Sequence, residues 1–366
     1  MATLKSIELS GWKSIKHAKV DLGPINVLIG ANGSGKSNFI SFFKLLNEMI
    51  NGRLQEYVAR AGGANSLLYY GSKTTPAVEF ELVVSGLPLQ TEEYRVSLTD
   101  APPDTLVFAE EKAQSHDRGC HTIFPPSLKS RLESDFLKWS MEQGFGALGA
   151  LLRSCLPYHI NDTSPTALIR RYGYIEDNRV LRSDAANLAA VLHRIRILTP
   201  RIYERIVRTI RQINPRFGDF VLEPQTLNPN QIMLNWKEKG QDTLFWPHQL
   251  SDGTLRVMAL VTLLLQPEAE LPALLVLDEP ELGLHPYAIG AIAGLLQAAS
   301  HHCQVIISTQ STQLLNEFDV GDVIVVNRPG EETTFSRLDE AQLAGWLEDY
   351  DLAELWQKNV LGGGPH

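Results

Sequence analysis

The chain has 366 residues, a formal net charge of −9 at pH 7, and 44% hydrophobic and 20% charged residues. A chain of this length can bury a large core and has room for two or three subregions. Its longest apolar tract, 257–265, is too short to span a bilayer, and its N-terminus lacks the apolar segment of a signal peptide. The overall charge provides no general attraction to nucleic acid.

The cysteines indicate a reducing compartment. Cys120, Cys155 and Cys303 are odd in number and far apart in the sequence, and no CxxC spacing occurs. This pattern argues against a disulfide framework and against a zinc site. We therefore expect a soluble cytoplasmic protein.

Residues 1–109 predict an N-terminal lobe of strands around one helix. Apolar residues recur at helical spacing from Phe39 to Ile50, and Asn51-Gly52 predicts the end of that helix. Alternating or continuous apolar runs predict strands, the last two as a hairpin of an antiparallel sheet, at 4–9, 18–22, 25–29, 77–84 and 93–98.

A glycine-rich phosphate loop, GANGSGKS at 30–37, follows the strand at 25–29. It matches the GxxxxGK[ST] pattern, in which backbone N–H groups and a helix N-terminus surround phosphate oxygens. Lys36 is expected to reach the β- and γ-phosphates, and Ser37 to ligate Mg²⁺. A plain glycine-rich turn is the alternative, which the flanking strand and helix disfavour. The residues predicted to bind ATP here are Gly30, Ala31, Asn32, Gly33, Ser34, Gly35, Lys36, Ser37 and Asn38.

Residues 110–216 predict a mainly helical insertion with an uneven charge. Its part from 168 to 216 holds eleven arginines, no lysines and four acidic residues, a local net charge of +7. Thr199 and Pro200 predict the cap and first residue of a helix that Asn214-Pro215 ends. Apolar and basic residues occupy different faces of this helix: Ile202, Ile206, Ile210 and Ile213 on one, and Arg201, Arg205, Arg208 and Arg211 on the other.

Three explanations of this arginine face stay open. It is a surface for the phosphates of a nucleic acid, a docking site for an acidic partner protein, or a solvated helix face. No aromatic residues interleave with the arginines in a way that would indicate stacking of single-stranded bases.

Residues 217–366 predict a C-terminal lobe with a parallel sheet. Apolar strands at 274–277, 305–307 and 323–326 alternate with helices. Further strands are expected at 220–222, 232–236 and 243–245. The predicted fold class is therefore α/β, with an antiparallel N-terminal sheet, a parallel core sheet and a mainly helical insertion.

An acidic pair, Asp278 and Glu279, follows the buried strand at 274–277. Ligands of open α/β sheets lie at the carboxyl ends of the strands, so we expect this pair beside the phosphate loop. Asp278 is expected to hold Mg²⁺ together with Ser37, and Glu279 to orient or deprotonate the attacking water. Two solvated acids at the end of a core strand are the alternative.

A second glycine turn, LSDGT at 250–254, precedes a long apolar helix pattern. Ser251 and Gly253 are expected to leave backbone N–H groups exposed at the helix N-terminus, which makes a second anion site. One ATP already has its cradle, so this turn would serve another ligand or a second ATP. A plain capping turn is the alternative.

The LSDGT turn resembles the signature motif of ABC-class ATPases, and LDEPELGLHP at 277–286 resembles the Walker B motif and D-loop of one branch of that class. The branch holds RecF-like and SMC-like ATPases, the nuclease-linked OLD family and related stand-alone AAA-type ATPases. GWKS at 11–14 is similar to the first-strand motif of the branch, which implies that Lys13 approaches the phosphates. Fewer than sixty residues follow Gln310, so we expect no Toprim nuclease domain of the OLD kind.

The resemblance implies an ABC-type head that pairs head to tail with a second copy around two ATP molecules. Ser251, Asp252 and Gly253 of each copy would then contact the ATP of the other. ATP binding would close the dimer and hydrolysis would open it. ABC ATPases often carry a switch histidine after a strand similar to 305–308. Gln310 stands there instead, and a glutamine can hydrogen-bond a γ-phosphate but cannot become cationic, which favours slow hydrolysis.

We therefore expect an ATP- and Mg²⁺-dependent ATPase that acts with a partner effector in DNA maintenance, DNA repair or anti-phage defence. The alternative is a nucleotide-gated scaffold or sensor with little turnover that controls such an effector. An ATPase subunit of a transporter is less favoured, because of the long insertion and Gln310. The lid glutamine of the class has no clear counterpart: Gln55 is a poor candidate, and Tyr70-Gly71-Ser72 lies nearer the expected position.

Overall fold

A computed structural model describes residues 2–86, 91–115, 120–124 and 145–364. The chain divides into two compact units, each built from separate stretches of sequence. The first unit comprises Met1–Pro157, Pro272–Val276 and Cys303–His366, and the second comprises Tyr158–Leu271 and Leu277–His302. Within the described ranges, no helix is long and apolar enough to cross a membrane.

The described residues form strands and helices that are numbered in chain order. The strands are β1 (Thr3–Trp12), β2 (Ile15–Asp21), β3 (Ile25–Ile29), β4 (Ala77–Ser85), β5 (Thr91–Ala101), β6 (Thr105–Ser115), β7 (Cys120–Phe124), β8 (Leu156–Tyr158), β9 (Gly173–Tyr174), β10 (Phe217–Val221), β11 (Gln231–Ile232), β12 (Asn235–Glu238), β13 (Leu274–Asp278), β14 (Gln304–Thr309), β15 (Val323–Asn327) and β16 (Thr334–Arg337). The helices are α1 (Lys36–Ile50), α2 (Leu54–Arg60), α3 (Gly146–Ser154), α4 (Leu188–Leu198), α5 (Pro200–Ile213), α6 (Asp252–Leu265), α7 (Pro286–Ser300), α8 (Thr312–Leu315), α9 (Glu340–Leu347) and α10 (Leu352–Gln357).

Two six-stranded sheets organise the first unit. One is antiparallel, in the order β2-β1-β4-β5-β6-β7, and contains the predicted hairpin of β4 and β5. The other has the order β16-β15-β3-β14-β13-β8, and β3 runs parallel to both of its neighbours, β14 and β15. All five residues of β3 are buried, as expected of a strand inside a parallel sheet. The predicted α/β fold class, with both kinds of sheet, is confirmed.

Helix α1 is anchored to the antiparallel sheet by aromatic packing. Phe42 lies edge-on to Trp12 of β1 and to Phe80 of β4, with ring centroids 6.3 and 5.1 Å away. The indole N–H of Trp12 also donates to the carbonyl of Asn38, at 2.8 Å, in the first turn of the helix. Buried aromatic rings supply large apolar contact areas with defined geometry. The N-terminus of α1, where the phosphate loop ends, is therefore held firmly.

The second unit packs helices α4, α5, α6 and α7 together with two short antiparallel ladders, β9 with β11 and β10 with β12. The predicted strand at 243–245 is wrong, because only Phe245 pairs, in a single bridge to Trp236. Tyr203 of α5 donates to the carboxylate of Asp219 at 2.8 Å, and burial, together with this hydrogen bond, raises the pKa of Tyr203.

Helix α5 begins and ends near the predicted residues, but its details differ from the prediction. Thr199 occupies the cap position without capping the helix. Its hydroxyl donates instead to the carbonyl of Ile195 at 3.1 Å, because Thr199 also ends α4 and no spacer separates the two helices. The buried face consists of Tyr203, Ile206, Val207 and Ile210, whereas Ile202 and Ile213 at its edges are only half-buried.

Candidate functional site

The phosphate loop connects β3 to α1 and folds around the ammonium of its own lysine. Lys36 is buried, and its Nζ donates to the carbonyls of Gly30 at 2.5 Å and Ala31 at 3.1 Å. Asn32, Gly33 and Ser37 are exposed. The loop therefore presents its backbone and the Ser37 hydroxyl to solvent at the positively polarised N-terminus of a helix, which fits a polyphosphate with a bound Mg²⁺.

Thr333, between β15 and β16, supports the phosphate loop. Its hydroxyl donates to the carbonyl of Ser34 at 2.9 Å and lies 2.8 Å from the hydroxyl of Ser14. Thr333 is fully buried. Gly35, with a φ of 110°, packs directly on this side chain: a Cβ at Gly35 would lie 2.3 Å from Thr333 Oγ1. The loop can hold this shape only with glycine at position 35.

The C-terminal segment forms a second support. The backbone N–H of Ala31 donates to the carbonyl of Gly363 at 2.9 Å. Gly363 and Trp356 line a cavity of about 520 Å³ together with the first residues of the phosphate loop, Gln310 and Arg328. A cavity of this volume suits a nucleotide-sized ligand. It lies where β3, β14 and β15 end, and these three strands are parallel, so the cavity is at the carboxyl edge of the sheet.

Lys13 has a strained backbone and a partly buried ammonium. Its φ is 49°, its Nζ donates to the hydroxyl of Ser41 at 2.8 Å, and it lies 5.2 Å from the centre of the Trp12 ring. Burial lowers the pKa of this ammonium, and the charge of Lys44 lowers it further. In this conformation Lys13 contacts α1 one turn beyond Ser37. Its approach to phosphates stays a prediction.

Asn38 and Gln55 have structural partners in the first unit. The Asn38 amide donates to the hydroxyl of Ser14 at 2.7 Å, which links α1 to the turn between β1 and β2. The Gln55 amide donates to the carbonyl of Leu106 at 2.8 Å, and its oxygen accepts from the hydroxyl of Thr105. Both bonds hold Gln55 against β6. That Gln55 is a poor candidate for the lid glutamine stays a prediction.

The acidic pair stands at the end of β13, the strand next to β14 in the sheet. Residues 274–277 of this strand are almost completely buried, and the side chain of Asp278 is 12% exposed. His159 Nδ1 lies 3.8 Å from the Asp278 carboxylate, a neighbour for which the sequence carried no signal. Glu279 has a φ of 48°, an unusual backbone conformation for a non-glycine residue. Strained residues of this kind cluster at functional sites.

The LSDGT turn caps α6 and faces solvent. The hydroxyl of Ser251 accepts from the backbone N–H of Thr254 at 3.2 Å, and the Asp252 carboxylate is paired with Arg170 at 2.7 Å. Ser251 and Asp252 are exposed. A Cβ at Gly253 would lie 2.5 Å from the carbonyl of Gly283, so the turn packs on the loop that follows the acidic pair. The turn is thus a helix cap whose first residues are open to solvent, and its role as an anion site stays a prediction.

The other predicted residues lie on the surface. Gln310 follows β14 and is exposed at the cavity beside the phosphate loop. All four arginines of the arginine face of α5 are exposed: Arg201, Arg205, Arg208 and Arg211. Arg211 has a local partner, because its Nε donates to the carbonyl of Gly218 at 2.6 Å. Arg201, Arg205 and Arg208 are therefore the arginines of this face that are most open to a ligand.

A family model described as "AAA domain, putative AbiEii toxin, Type IV TA system" matches residues 25–150 and 167–316, more than half of the chain. The chain belongs to this family. No curated protein matches it. The matched ranges contain the phosphate loop, the LSDGT turn and the acidic pair.

Solved structures of SMC heads share the fold of this family member. The SMC head bound to the C-winged helix domain of ScpA matches with a TM-score of 0.62 and 17% identity over 93% of this chain and 99% of that one. The SMC head domain with an extended coiled coil bound to the C-terminal domain of ScpA, from Pyrococcus furiosus, matches with a TM-score of 0.59 and 17% identity, over 95% and 99%. The SMC head domain with a coiled coil and joint from Pyrococcus yayanosii matches with a TM-score of 0.54 and 14% identity, over 95% and 99%.

Family and fold are those of a P-loop ATPase, which binds and hydrolyses ATP. The predicted resemblance to SMC-like ATPases is confirmed at the level of the fold, and the family that the chain belongs to is that of an AAA domain. At such low identities the solved structures establish the fold alone, so the roles of individual residues in this chain rest on their own chemistry.

The sequence carried no signal for the contacts that support the site from distant positions in the chain. Thr333 bonds to a residue 299 positions earlier, and Gly363 belongs to a short glycine run with no recognised motif. Arg170 lies in the arginine-rich segment 168–216 but outside helix α5, whose arginines form the predicted surface. A buried arginine cannot be told from an exposed one without the fold.

Proposed function

We propose that this chain is an ATPase that dimerises around ATP and acts with a partner effector in DNA maintenance, DNA repair or anti-phage defence. In this proposal the phosphate loop of one copy holds ATP, and the LSDGT turn of a second copy completes the site. ATP binding closes the dimer, and hydrolysis of the β–γ bond opens it.

The observation that carries the proposal is the exposed helix N-terminus at the LSDGT turn. Ser251 and Asp252 face solvent at the N-terminus of α6, while Gly253 is packed on Gly283. A helix N-terminus of this kind attracts phosphate. The phosphate loop belongs to the other compact unit and forms only the first part of the proposed ATP site. In a dimer, the LSDGT turn of one copy would contact the ATP that the phosphate loop of the other copy holds.

The proposed chemistry assigns one task to each residue type. Lys36 exchanges the carbonyls of Gly30 and Ala31 for phosphate oxygens when ATP binds. Ser37 and Asp278 are the residues that would hold Mg²⁺, and the cation would supply positive charge for the β- and γ-phosphates. Glu279 orients the attacking water and accepts its proton. Catalysis of this kind depends on positioning and charge stabilisation, without a covalent intermediate.

Gln310 favours a second candidate, a nucleotide-gated sensor with little turnover. It lines the cavity beside the phosphate loop, where a neutral amide can hydrogen-bond a γ-phosphate but adds no positive charge. Stabilisation of developing charge usually contributes more to the rate of phosphoryl transfer than any other effect. ATP occupancy, rather than its consumption, would then be the signal that reaches the effector.

Two features support a partner. The SMC heads of two similar structures are bound to a domain of ScpA, and we propose that this family member likewise engages a partner protein. The arginine face offers a cationic surface with the spacing of one helix face, at Arg201, Arg205 and Arg208. That surface fits the phosphates of DNA or an acidic protein.

Phosphate release from Mg²⁺-ATP tests the proposal. The wild-type chain should release phosphate, and Lys36→Ala should lower the rate by at least about a hundredfold, because the lysine stabilises charge on the transferred group. Lys44→Ala, on the exposed side of the same helix, is the matched control and should behave like the wild type. Equal rates for wild type and Lys36→Ala would contradict the ATPase assignment of this loop.

A further inference from the structure

Arg170 is a buried arginine in a segment whose other arginines are mostly exposed. It ends a short 3₁₀ turn, Leu168–Arg170, and is 4% exposed, whereas the next residue, Arg171, is exposed. Burying a guanidinium is unfavourable unless hydrogen bonds replace its water. The groups that replace this water therefore show what the arginine does.

The guanidinium of Arg170 bonds to three backbone carbonyls and to one carboxylate. Its Nε donates to the carbonyl of Thr163 at 2.8 Å. Its Nη1 donates to the carbonyls of Pro247 and Leu250, the latter at 3.1 Å. Its Nη2 donates to Asp252 Oδ1 at 2.7 Å. The planar fork of arginine suits such a set of bonds, and lysine offers no equivalent geometry.

Three of these four bonds go to the LSDGT turn or to the residues just before it. Leu250 begins the turn, Asp252 is its third residue, and Pro247 opens the 3₁₀ turn that leads into it. Helix capping does not require Arg170, because Ser251 already accepts the N–H of Thr254. The arginine instead holds the backbone before Ser251 and the side chain of Asp252 after it.

Arg170 also balances a charge that opposes the proposed ligand. The Asp252 side chain is 63% exposed and lies in the first turn of α6. A free carboxylate there would repel the phosphates that the helix N-terminus attracts. The charge-assisted bond to Arg170 neutralises Asp252 and holds it to one side. The turn can then present its backbone N–H groups without a competing negative charge.

We propose that Arg170 is the positioning residue of the LSDGT turn and that it acts on the ATP bound by a second copy of the chain. This inference rests on the proposed function, in which the turn completes the ATP site of another copy. Its distinctive consequence is that loss of Arg170 damages the LSDGT turn, which contacts the ATP of the other copy, while the phosphate loop of the same chain stays intact.

The test uses Arg170→Met, with Arg171→Met as the matched control. Arg170→Met should bind ATP within about twofold of the wild type, because the phosphate loop is unchanged. Its rate of phosphate release should fall by about tenfold or more, since small displacements of a catalytic constellation reduce turnover strongly. Arg171→Met should release phosphate at the wild-type rate. A wild-type rate for Arg170→Met would overturn the inference.

Mixing two impaired variants separates action on a second copy from simple misfolding. Lys36→Ala has an intact LSDGT turn, and Arg170→Met has an intact phosphate loop, so each mixed dimer contains one complete site. Random pairing of equal amounts should restore about a quarter of the wild-type rate in a two-fold symmetric dimer. An unfolded Arg170→Met chain could not contribute its loop, so recovery also proves that the chain is folded.

The control mixture is Lys36→Ala with Ser251→Arg, which blocks the turn directly. Recovery in the control without recovery for Arg170→Met would overturn the inference and leave the proposed function standing. Failure of both mixtures would contradict the head-to-tail site itself, and the inference would fall with it. If Arg170→Met does not fold by circular dichroism, Arg170→Lys takes its place. It keeps the charge but loses the fork and should lose turnover about threefold or more, and a wild-type rate would overturn the inference.

Discussion

Gly35→Ala is expected to destabilise the phosphate loop for two separable reasons. The first is backbone strain, because alanine at a φ of 110° is held outside the allowed regions, which costs about 1–3 kcal/mol. The second is a clash, because the new Cβ would lie 2.3 Å from Thr333 Oγ1 and 2.7 Å from its Cγ2. Thr333 is buried and hydrogen-bonded to Ser34, so its side chain cannot withdraw. Overpacking of this kind adds about 1–3 kcal/mol.

Gly33→Ala in the same loop separates the two reasons. Gly33 also has a positive φ, 80°, but a Cβ there would meet no atom within 4 Å. Only the strain applies, about 1–2 kcal/mol. Without nucleotide, the free energy of unfolding in urea should therefore fall by about 1–3 kcal/mol more for Gly35→Ala than for Gly33→Ala.

A suppressor completes this test. Thr333→Ala removes both clashing atoms, so Gly35→Ala should be less harmful in that background, with a coupling free energy of about 1–2 kcal/mol in the double-mutant cycle. Equal losses of unfolding free energy for Gly33→Ala and Gly35→Ala, with no coupling to Thr333→Ala, would refute the role of Thr333 as the support of the loop.

Two further predictions concern the surface and the thiols. Changing Arg201, Arg205 and Arg208 to glutamate should weaken binding to DNA. In a salt titration, the change should also lower the slope of log affinity against log salt by about 2–3, which is about 0.9 for each lost phosphate contact. The same change at three exposed lysines of β1 and β2, Lys5, Lys16 and Lys19, should alter neither the affinity nor the slope. If the wild type shows no DNA binding at low salt, the arginine face does not serve DNA. Burial raises the pKa of Cys303 to about 11 and raises that of Cys155 as well, so in a Cys120→Ser background neither thiol should react with a colorimetric thiol reagent at pH 8 until urea unfolds the chain. Rapid native labelling of either thiol would show that its burial is wrong.

The sequence was sufficient for the elements whose signals are local. Four of the five residues at 25–29 are apolar, and this short tract predicted the buried central strand β3. The glycine-rich loop predicted the start of α1, and Asn51-Gly52 its end. Such signals depend on the spacing of neighbouring residues, which the sequence displays directly.

The sequence was insufficient where one residue had two roles or where partners were distant. Thr199 predicted a helix cap, yet its hydroxyl turned back to α4 because the two helices are contiguous. Phe245 lay in a predicted strand but forms only one bridge. The support of the loop by Thr333 and of the LSDGT turn by Arg170 arises from tertiary packing, which leaves no periodic trace in the sequence.

The central claim, an ATPase that closes with a second copy around ATP, is tested most directly by the mass of Glu279→Gln with Mg²⁺-ATP. The variant keeps the shape of the site but removes the proposed base, so ATP should stay bound and hold the closed state. Light scattering after size-exclusion chromatography should give about 81 kDa, twice the 40.7 kDa of one chain, and the nucleotide-free variant should give the mass of one chain. Glu268→Gln, an exposed acid in the second unit, is the control and should turn over ATP like the wild type. A single-chain mass with Mg²⁺-ATP, or unchanged phosphate release by Glu279→Gln, would contradict the account.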